Sequence, residues 1–346
     1  MDFKGKKVSD EIEAEMMLRY KYMEYMASDL DDMKLKLRTL GVCIVPNVLS
    51  ADECHRMSRG IWQWLEKKTA AFETPIRKHD YESWSQFSPE FYPKHSMLLQ
   101  HWEIGHAPFV WEVRSNPKVM EVFARLWGVL PSDLISSFDG ASLHFPHEVT
   151  GKGFYRGNNW LHTDQSYQRP GFECVQSWVT AKEVREGDAT LAFIPRSHLL
   201  HGDFGARFGR GDNKDWVKMT GAQQAWYVER TGSEVQFIKC PRGSMVLWDS
   251  RTIHSGSEPL RTRPRANLRQ IVYVCMTPRR FCSEKMLKKR IDAFYTGRMT
   301  SHHPYRVHLF GEMPRTFGKA SVIARSRPLD PERVGKVIRR LVGYNQ

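Results

Sequence analysis

His162 and Asp164 stand one residue apart, and His254 follows ninety residues later, at the end of Leu247-Trp248-Asp249-Ser250-Arg251-Thr252-Ile253-His254. Two imidazoles and one carboxylate on one face of a metal, with the opposite positions left open, describe a non-haem Fe(II) oxygenase centre. Such a centre restricts the folds open to the chain, because distant segments must deliver their side chains to one point. Side chains two apart on a strand share a face. A strand ending in His162 and Asp164, with a later strand beginning at His254 folded against it, meets the requirement.

The texture of the sequence agrees. From about residue 135, short apolar runs punctuated by Gly, Pro or Asp occupy 174–180, 190–194, 235–240, 244–248 and 268–276. Strands in this number and spacing predict a sandwich or barrel rather than alternating β-α units. The expected fold is a mainly β core with flanking helices, a double-stranded β-helix of the jelly-roll, cupin-like kind. Residues 203–234 read as an insertion in that core, helical around 222–230. Upstream, apolar residues recur at helical spacing over 9–39, and Ser50 with Glu53 three residues on forms a capping box opening a helix through Leu65. Residues 74–110 read as irregular and are a candidate cover for the site; 116–127 reads as helix. The expected organisation is a single oxygenase domain over 1–346. It comprises a helical N-terminal part with the first core strand (1–130), the core (131–280) and a basic C-terminal extension (281–346).

Spacing alone is weak evidence. With 14 His and Asp at typical usage, about 0.7 His-x-Asp triplets are expected by chance. A second one exists, His201-Gly202-Asp203, in a Gly-rich stretch that reads as a solvated loop. Context separates the two. Trp160-Leu161-His162-Thr163-Asp164 leads into a strand-like run. The next strand closes as Gly187-Asp188-Ala189-Thr190-Leu191-Ala192-Phe193-Ile194-Pro195-Arg196-Ser197-His198.

These segments, with Gly243 to His254 and Leu40 to Ser50, resemble the phytanoyl-CoA dioxygenase family of Fe(II)/2-oxoglutarate oxygenases over about residues 35–278. The chain departs from the family pattern in carrying Leu161 between Trp and His, and Arg196 where Gly usually precedes Ser-His. The resemblance implies that His162, Asp164 and His254 bind Fe(II), with 2-oxoglutarate as co-substrate and O2 as oxidant. It also implies hydroxylation of an aliphatic C–H bond in a small or acyl-type substrate, since halogenating relatives lack the carboxylate that Asp164 supplies. The distal carboxylate of 2-oxoglutarate calls for a planar Arg fork. The family places that Arg nine to fifteen residues past the second histidine, where Arg263, Arg265 and Arg269 all stand. Arg265 is the first choice and Arg269 the second, as a strand residue facing inward if the parity suits. Trp248 is a further cofactor-lining candidate, and Gln165 and Tyr167 are weaker ones. Ser197-His198 reads as a strand terminator, and His302-His303 as a surface pair.

Rival readings come from other features. His144 or His147 could complete a closed zinc site of hydrolytic type, and a silent member of the fold could act as a binding module. Net charge is +13, and residues 277–346 hold sixteen Lys or Arg against five Asp or Glu. A basic extension of this kind suits a nucleic-acid-associated modifier or binder; the plainer expectation is a solvated, partly helical tail. Six dispersed cysteines without Cys-x-x-Cys predict buried, reduced thiols. No apolar run of membrane-spanning length and no signal-peptide pattern is present, so a cytoplasmic protein without membrane contact is expected. Oligomeric state has no signature.

Overall fold

The computed structural model describes residues 8–87, 97–157, 160–312 and 333–344. Its strands, in chain order, are β1 (Tyr20–Lys21), β2 (Val42–Val45), β3 (Leu98–Leu99), β4 (Leu134–Ser136), β5 (Ala141–His144), β6 (His162–Thr163) and β7 (Val175–Thr180). They continue with β8 (Thr190–Phe193), β9 (Val217–Lys218), β10 (Gln236–Ile238), β11 (Met245–Asp249), β12 (His254–Ser257), β13 (Arg269–Val274) and β14 (Met276–Pro278). One six-stranded sheet runs β1-β10-β8-β12-β6-β9 and a second runs β2-β11-β7-β13-β5-β3, while β4 pairs with β14 alone. Pairing is antiparallel except between β1 and β10. Trp178, Val246, Trp248 and Ile271 of the second sheet and Leu191, Phe193 and Ile238 of the first form one buried cluster between them. The core is the expected jelly roll.

Strand β11 shows why the central strands read as unbroken apolar runs. Val246 and Trp248 enter the barrel interior, while Met245 and Leu247 join Met57, Ile61 and Phe123 in a cluster outside it. Alternate side chains point to opposite faces and both faces are covered, so all five residues are buried. The outer cover includes the helix Ala51–Lys68, whose Cys54, Met57, Ile61 and Leu65 form a buried stripe. Ser50 caps it by accepting from Glu53 N, and Glu53 accepts from Ser50 N at 2.7 Å, the box expected from sequence.

Two expectations of regular structure change. The single helix over 9–39 is two, Asp10–Leu18 and Leu30–Leu40. Between them β1 joins the first sheet, and Tyr25, fully buried, donates to Gln236 Oε1 at 2.6 Å. The chain breaks because these tyrosines gain sheet and core partners that a local periodicity does not encode. Residues 74–110 are partly regular, with a short 3-10 helix at Glu82–Phe87, β3 and the helix Pro108–Arg114. Residues 88–96, the middle of the proposed cover, lie outside the described residues.

The basic C-terminal part is packed rather than solvated where it is described. Arg290, fully buried in the helix Glu284–Tyr295, donates to the carbonyls of Ser136, Pro304, Leu341 and Val342. Arg279, Lys289 and Arg298 likewise donate to the carbonyls of Gly343, Val307 and Phe310. Part of the positive surplus is therefore spent on backbone oxygens, where a cation strengthens the hydrogen bond. Among the described residues no helix is long and apolar enough to cross a membrane.

Candidate metal centre

Residues ninety apart meet because β6 and β12 are neighbours in the first sheet with His162 directly opposite His254. Side chains so placed project from Cβ atoms about 5 Å apart, and the two rings lie 4.5 Å apart between centroids. Asp164, whose amide donates to Ser250 O, turns its Oδ2 to 3.5 Å from His162 Nε2 and 3.3 Å from His254 Nε2. All three donor atoms lie within 4.8 Å of one another.

Orientation within the centre is set by backbone carbonyls. His162 Nδ1 lies 3.1 Å from Trp160 O, and His254 Nδ1 lies 2.9 Å from Thr252 O. A carbonyl only accepts, so each Nδ1 carries the proton and each Nε2 of the neutral ring keeps its lone pair. Gln176 Nε2 donates to Asp164 Oδ2 at 3.0 Å, and Trp160 stacks on the His162 ring at 4.6 Å. Without a metal, burial would raise the Asp164 carboxyl, but the positive charge of His162 and His302 when protonated, with hydrogen bonds from His162 and His254, outweighs it and holds the carboxyl well below the usual carboxylate range. Burial, then the neighbouring His162, pushes the His254 pKa down. With both rings neutral, as their Nδ1 contacts to carbonyls allow, two imidazoles and a carboxylate aim three lone pairs at one buried point, an arrangement that repels itself unless a cation sits there. The donor set fits a divalent iron and leaves the rest of its coordination sphere for other ligands.

The turn before His254 is clamped by side chains. Ser197 Oγ accepts from Ile253 N at 2.8 Å and donates to Ile194 O. Thr252 donates to Gly41 O, and His198 Nε2 bonds to Arg38 O at 3.0 Å. Gly41 sits at φ 81°, and a Cβ there would meet His198 Nδ1 at 2.5 Å, so only glycine fits. The Ser-His motif therefore does more than end β8; it fixes the entry to the His254 strand. Arg196, where the family pattern has Gly, adopts φ 63°. The inserted Leu161 is fully buried in a satellite cluster with Ile194, Phe204 and Tyr227, and Trp160 still reaches His162.

The three candidate arginines part company. Arg263 is buried and spent: its Nε and Nη2 reach the Glu148 carboxylate at 2.7 Å each, and its Nη1 reaches Asp188 Oδ1 at 2.8 Å. Arg265 is exposed on the loop between β12 and β13. Arg269, the first residue of β13, is buried in the barrel interior. It donates to Ser142 Oγ at 3.1 Å and to Ala189 O at 2.9 Å, with its guanidinium 5.4 Å from the Trp178 ring centroid. Burial lowers its pKa, against the nearby Tyr273. Among the described residues no carboxylate forms an ion pair with it. Trp248 lies inside as well, 5.4 Å from His254 between ring centroids. Its Nε1 and that of Trp178 are buried with no hydrogen-bond partner. A buried guanidinium with no carboxylate partner among the described residues, beside two idle indole N–H groups, suits an anionic ligand.

Other candidates fall outside the centre. Gln165 donates to the carbonyls of Arg169 and Gly171, and Tyr167 packs between His201 and Phe204. The His201 pair is no loop: it opens the helix His201–Phe208, with His201 buried and bonded to Ser166 O. His144 and His147 join neither donor cluster found among the described residues. Burial, then Arg263 and Arg269, drive His144 down to about 3. The His302-His303 pair is not on the surface; His303 is buried with its Nε2 3.3 Å from Asp164 O. Gln176 was missed from sequence, although a glutamine on the inward face of a buried strand, two residues before Trp178, is the signal that marks it.

A jelly roll holding two histidines and a carboxylate at the end of its barrel is the architecture of the non-haem iron oxygenases. The phytanoyl-CoA dioxygenase (PhyH) sequence profile matches residues 37–266. The chain belongs to that family and is an Fe(II)- and 2-oxoglutarate-dependent enzyme, with O2 as oxidant. It is 26% identical over 275 residues to Ava biosynthesis cluster protein O of Aspergillus versicolor, covering 77% of this chain and 83% of that protein. Among solved structures it is similar to the hypothetical protein JW0805 of Escherichia coli (TM-score 0.60, 12% identity, 96% of this chain and 89% of that one). It is also similar to the epimerase SnoN, solved with Fe3+, alpha ketoglutarate and nogalamycin RO (TM-score 0.43, 14% identity, 72% and 83%).

Proposed function

We propose that the protein hydroxylates an aliphatic C–H bond of a small or acyl-type molecule, with His162, Asp164 and His254 holding iron and Arg269 anchoring 2-oxoglutarate. Bound iron, with 2-oxoglutarate and O2, supplies the oxidising power, and succinate and CO2 are the co-products. The observation that carries this reading is the convergence of the three lone pairs, each imidazole already committed by its Nδ1–H to a carbonyl. Asp164 occupies the position that chloride takes in halogenating relatives, which favours hydroxylation. Gln176 steadies the carboxylate, and Trp160 the first imidazole.

Arg269 takes the place first given to Arg265. Ala189, its carbonyl partner, adjoins Thr190, which pairs with Ser257 three residues beyond His254. Three residues of strand span roughly 10 Å, a reach suited to a five-carbon dicarboxylate whose other end meets the metal. Ser142 and Trp178 then frame the distal carboxylate, and the indole N–H groups of Trp178 and Trp248 are free to donate. Substrate would enter past Trp216, an exposed residue of the insertion whose ring lies 5.8 Å from His162. The described parts of the chain, including the packed C-terminal helices, are proposed to form one oxygenase domain.

The test is 2-oxoglutarate affinity in Arg269→Gln and Arg265→Gln. Removing the partner of a buried carboxylate costs about 3–5 kcal/mol, or roughly 10²–10³ in affinity. Arg269→Gln should lose that much and Arg265→Gln less than twofold. The reverse ranking would return the anchor to the exposed loop.

A further inference from the structure

A second donor cluster lies beside the first. Cys174 immediately precedes β7, and His302-His303 follow Thr300, whose backbone and side chain are both bonded to Phe138. One donor atom from each of Cys174, His302 and His303 lies within 4.8 Å of the others. The two rings stand 4.3 Å apart between centroids. His302 Nε2 and His303 Nδ1 are buried with no hydrogen-bond partner. Cys275, between β13 and β14, brings a second sulfur to 3.5 Å from Cys174 Sγ, where it also faces Val175 O at 3.1 Å. Three soft or borderline donors from two parts of the chain meet here, and the second sulfur stands against one of them, where the sequence predicts only reduced thiols and a surface histidine pair.

We propose that Cys174, His302 and His303, with Cys275 as the fourth ligand, form a second metal site, selective for a thiolate-preferring divalent ion such as zinc. Two thiolates and two imidazoles are the donor set of closed tetrahedral zinc sites, and thiolates disfavour hard cations. In a tetrahedron with Zn–S bonds of about 2.3 Å the sulfurs sit roughly 3.8 Å apart, close to the separation found here. Such a set has no open position, so its role is to hold chain rather than to turn over substrate. It would join β7, β13 and the His302-His303 loop at one point. His303 also faces the Asp164 carbonyl and Asp215 Oδ2, at 3.3 and 3.7 Å. Loading this site therefore fixes the backbone behind a proposed iron ligand.

Cobalt(II) is the probe, because only thiolate-bound cobalt gives an intense near-ultraviolet charge-transfer band. Protein stripped of metal under reducing conditions should bind two cobalt ions per chain, one of them with the thiolate band. That band should survive in His162→Ala, which empties the first centre, disappear in Cys174→Ser, and be displaced by zinc. Cobalt binding without a thiolate band in the wild type overturns the proposal whether or not the variant folds. So does a band that persists in Cys174→Ser, or a reduced, zinc-supplemented protein that carries no zinc. The two centres fail separately: loss of the His162-dependent ion alone contradicts the oxygenase site and leaves this one standing.

Discussion

The two sheets of the barrel are built on different principles. In the second, β11, β7 and β13 pair over four or five residues with every residue of β11 and β7 buried. That sheet is held by its ladder and by apolar burial on both faces. In the first, β6 is two residues long and meets β12 at one residue pair. β12 keeps a four-residue ladder to β8, but the metal end of the sheet is fixed by single polar contacts, such as Ser197 on Ile253, Thr252 on Gly41, and carbonyls on the imidazole Nδ1 atoms. A long ladder averages over many contacts and tolerates the loss of one. A site sheet that must leave one end open for ligands places its side chains by individual clamps, so one substitution there should alter metal binding more than stability.

The largest effect that sharpens this contrast concerns the packed side. His106, behind the second sheet, is buried against Trp111, Phe138 and Phe294, and its Nε2 bonds to Arg298 O. Burial is the main cause, with Arg114 adding to it, that drives its pKa from 6.5 to about 4. Between those values the unfolded chain binds more protons than the folded one, so stability falls as pH drops through that window and is flat above it. The loss is about 3 kcal/mol for this group. Urea midpoints at pH 7 and pH 4.5 should differ accordingly. His106→Gln, which keeps an amide donor but cannot take the proton, should reduce the slope. His144 and His201, themselves driven down to about 3 and about 4 by burial, contribute to the residual slope together with the other buried histidines and carboxylates whose pKa values are lowered.

Next in size is the clamp. Ser197→Ala leaves the buried Ile253 amide without its acceptor, at a cost of roughly 1–3 kcal/mol in stability. Because Ile253 immediately precedes His254, the Fe(II) dissociation constant should rise by a larger factor than a sheet-two substitution of equal stability cost would produce. Equal effects on iron affinity would erase the distinction between the sheets.

The smallest effect tests a departure from the family pattern. Arg196 is exposed and holds φ 63°, a conformation that costs a side-chain-bearing residue about 1 kcal/mol. Arg196→Gly should therefore stabilise the fold by at most that amount, reduced by the entropy glycine adds to the unfolded chain, with iron affinity unchanged. Thermal midpoints read this directly, and a lowered midpoint would show that the arginine side chain contributes more than its backbone costs.

The same contrast explains what could be read from sequence. The fold was legible because a doubly buried ladder writes itself as apolar runs: 174–180 and 244–248 become β7 and β11 with ends shifted by one residue. The grouping of His162, Asp164 and His254 was legible from the motif and its context, but not through strand parity: β6 ends at Thr163, and Asp164 is placed by the bend that follows, its amide bonded to Ser250 O. What escaped depended on partners far along the chain. Counting residues from His254 could not show that Arg263 is spent on Glu148 and Asp188 while Arg265 turns outward. Charge counting gave the C-terminal part a solvated look because it cannot see that Arg290 caps four carbonyls. Adjacent histidines usually diverge, and nothing local reveals that His302 and His303 turn together toward Cys174.

The central claim is that three lone pairs aimed at one buried point hold the iron that binds 2-oxoglutarate. The most direct test is anaerobic titration of metal-free protein with Fe(II) and 2-oxoglutarate, following the weak visible charge-transfer band of the iron chelate, in wild type and His162→Ala. The account predicts a band that saturates at one iron per chain in the wild type and is absent from the folded variant. A folded, iron-loaded wild type with no band, or a band of equal strength in His162→Ala, would contradict it.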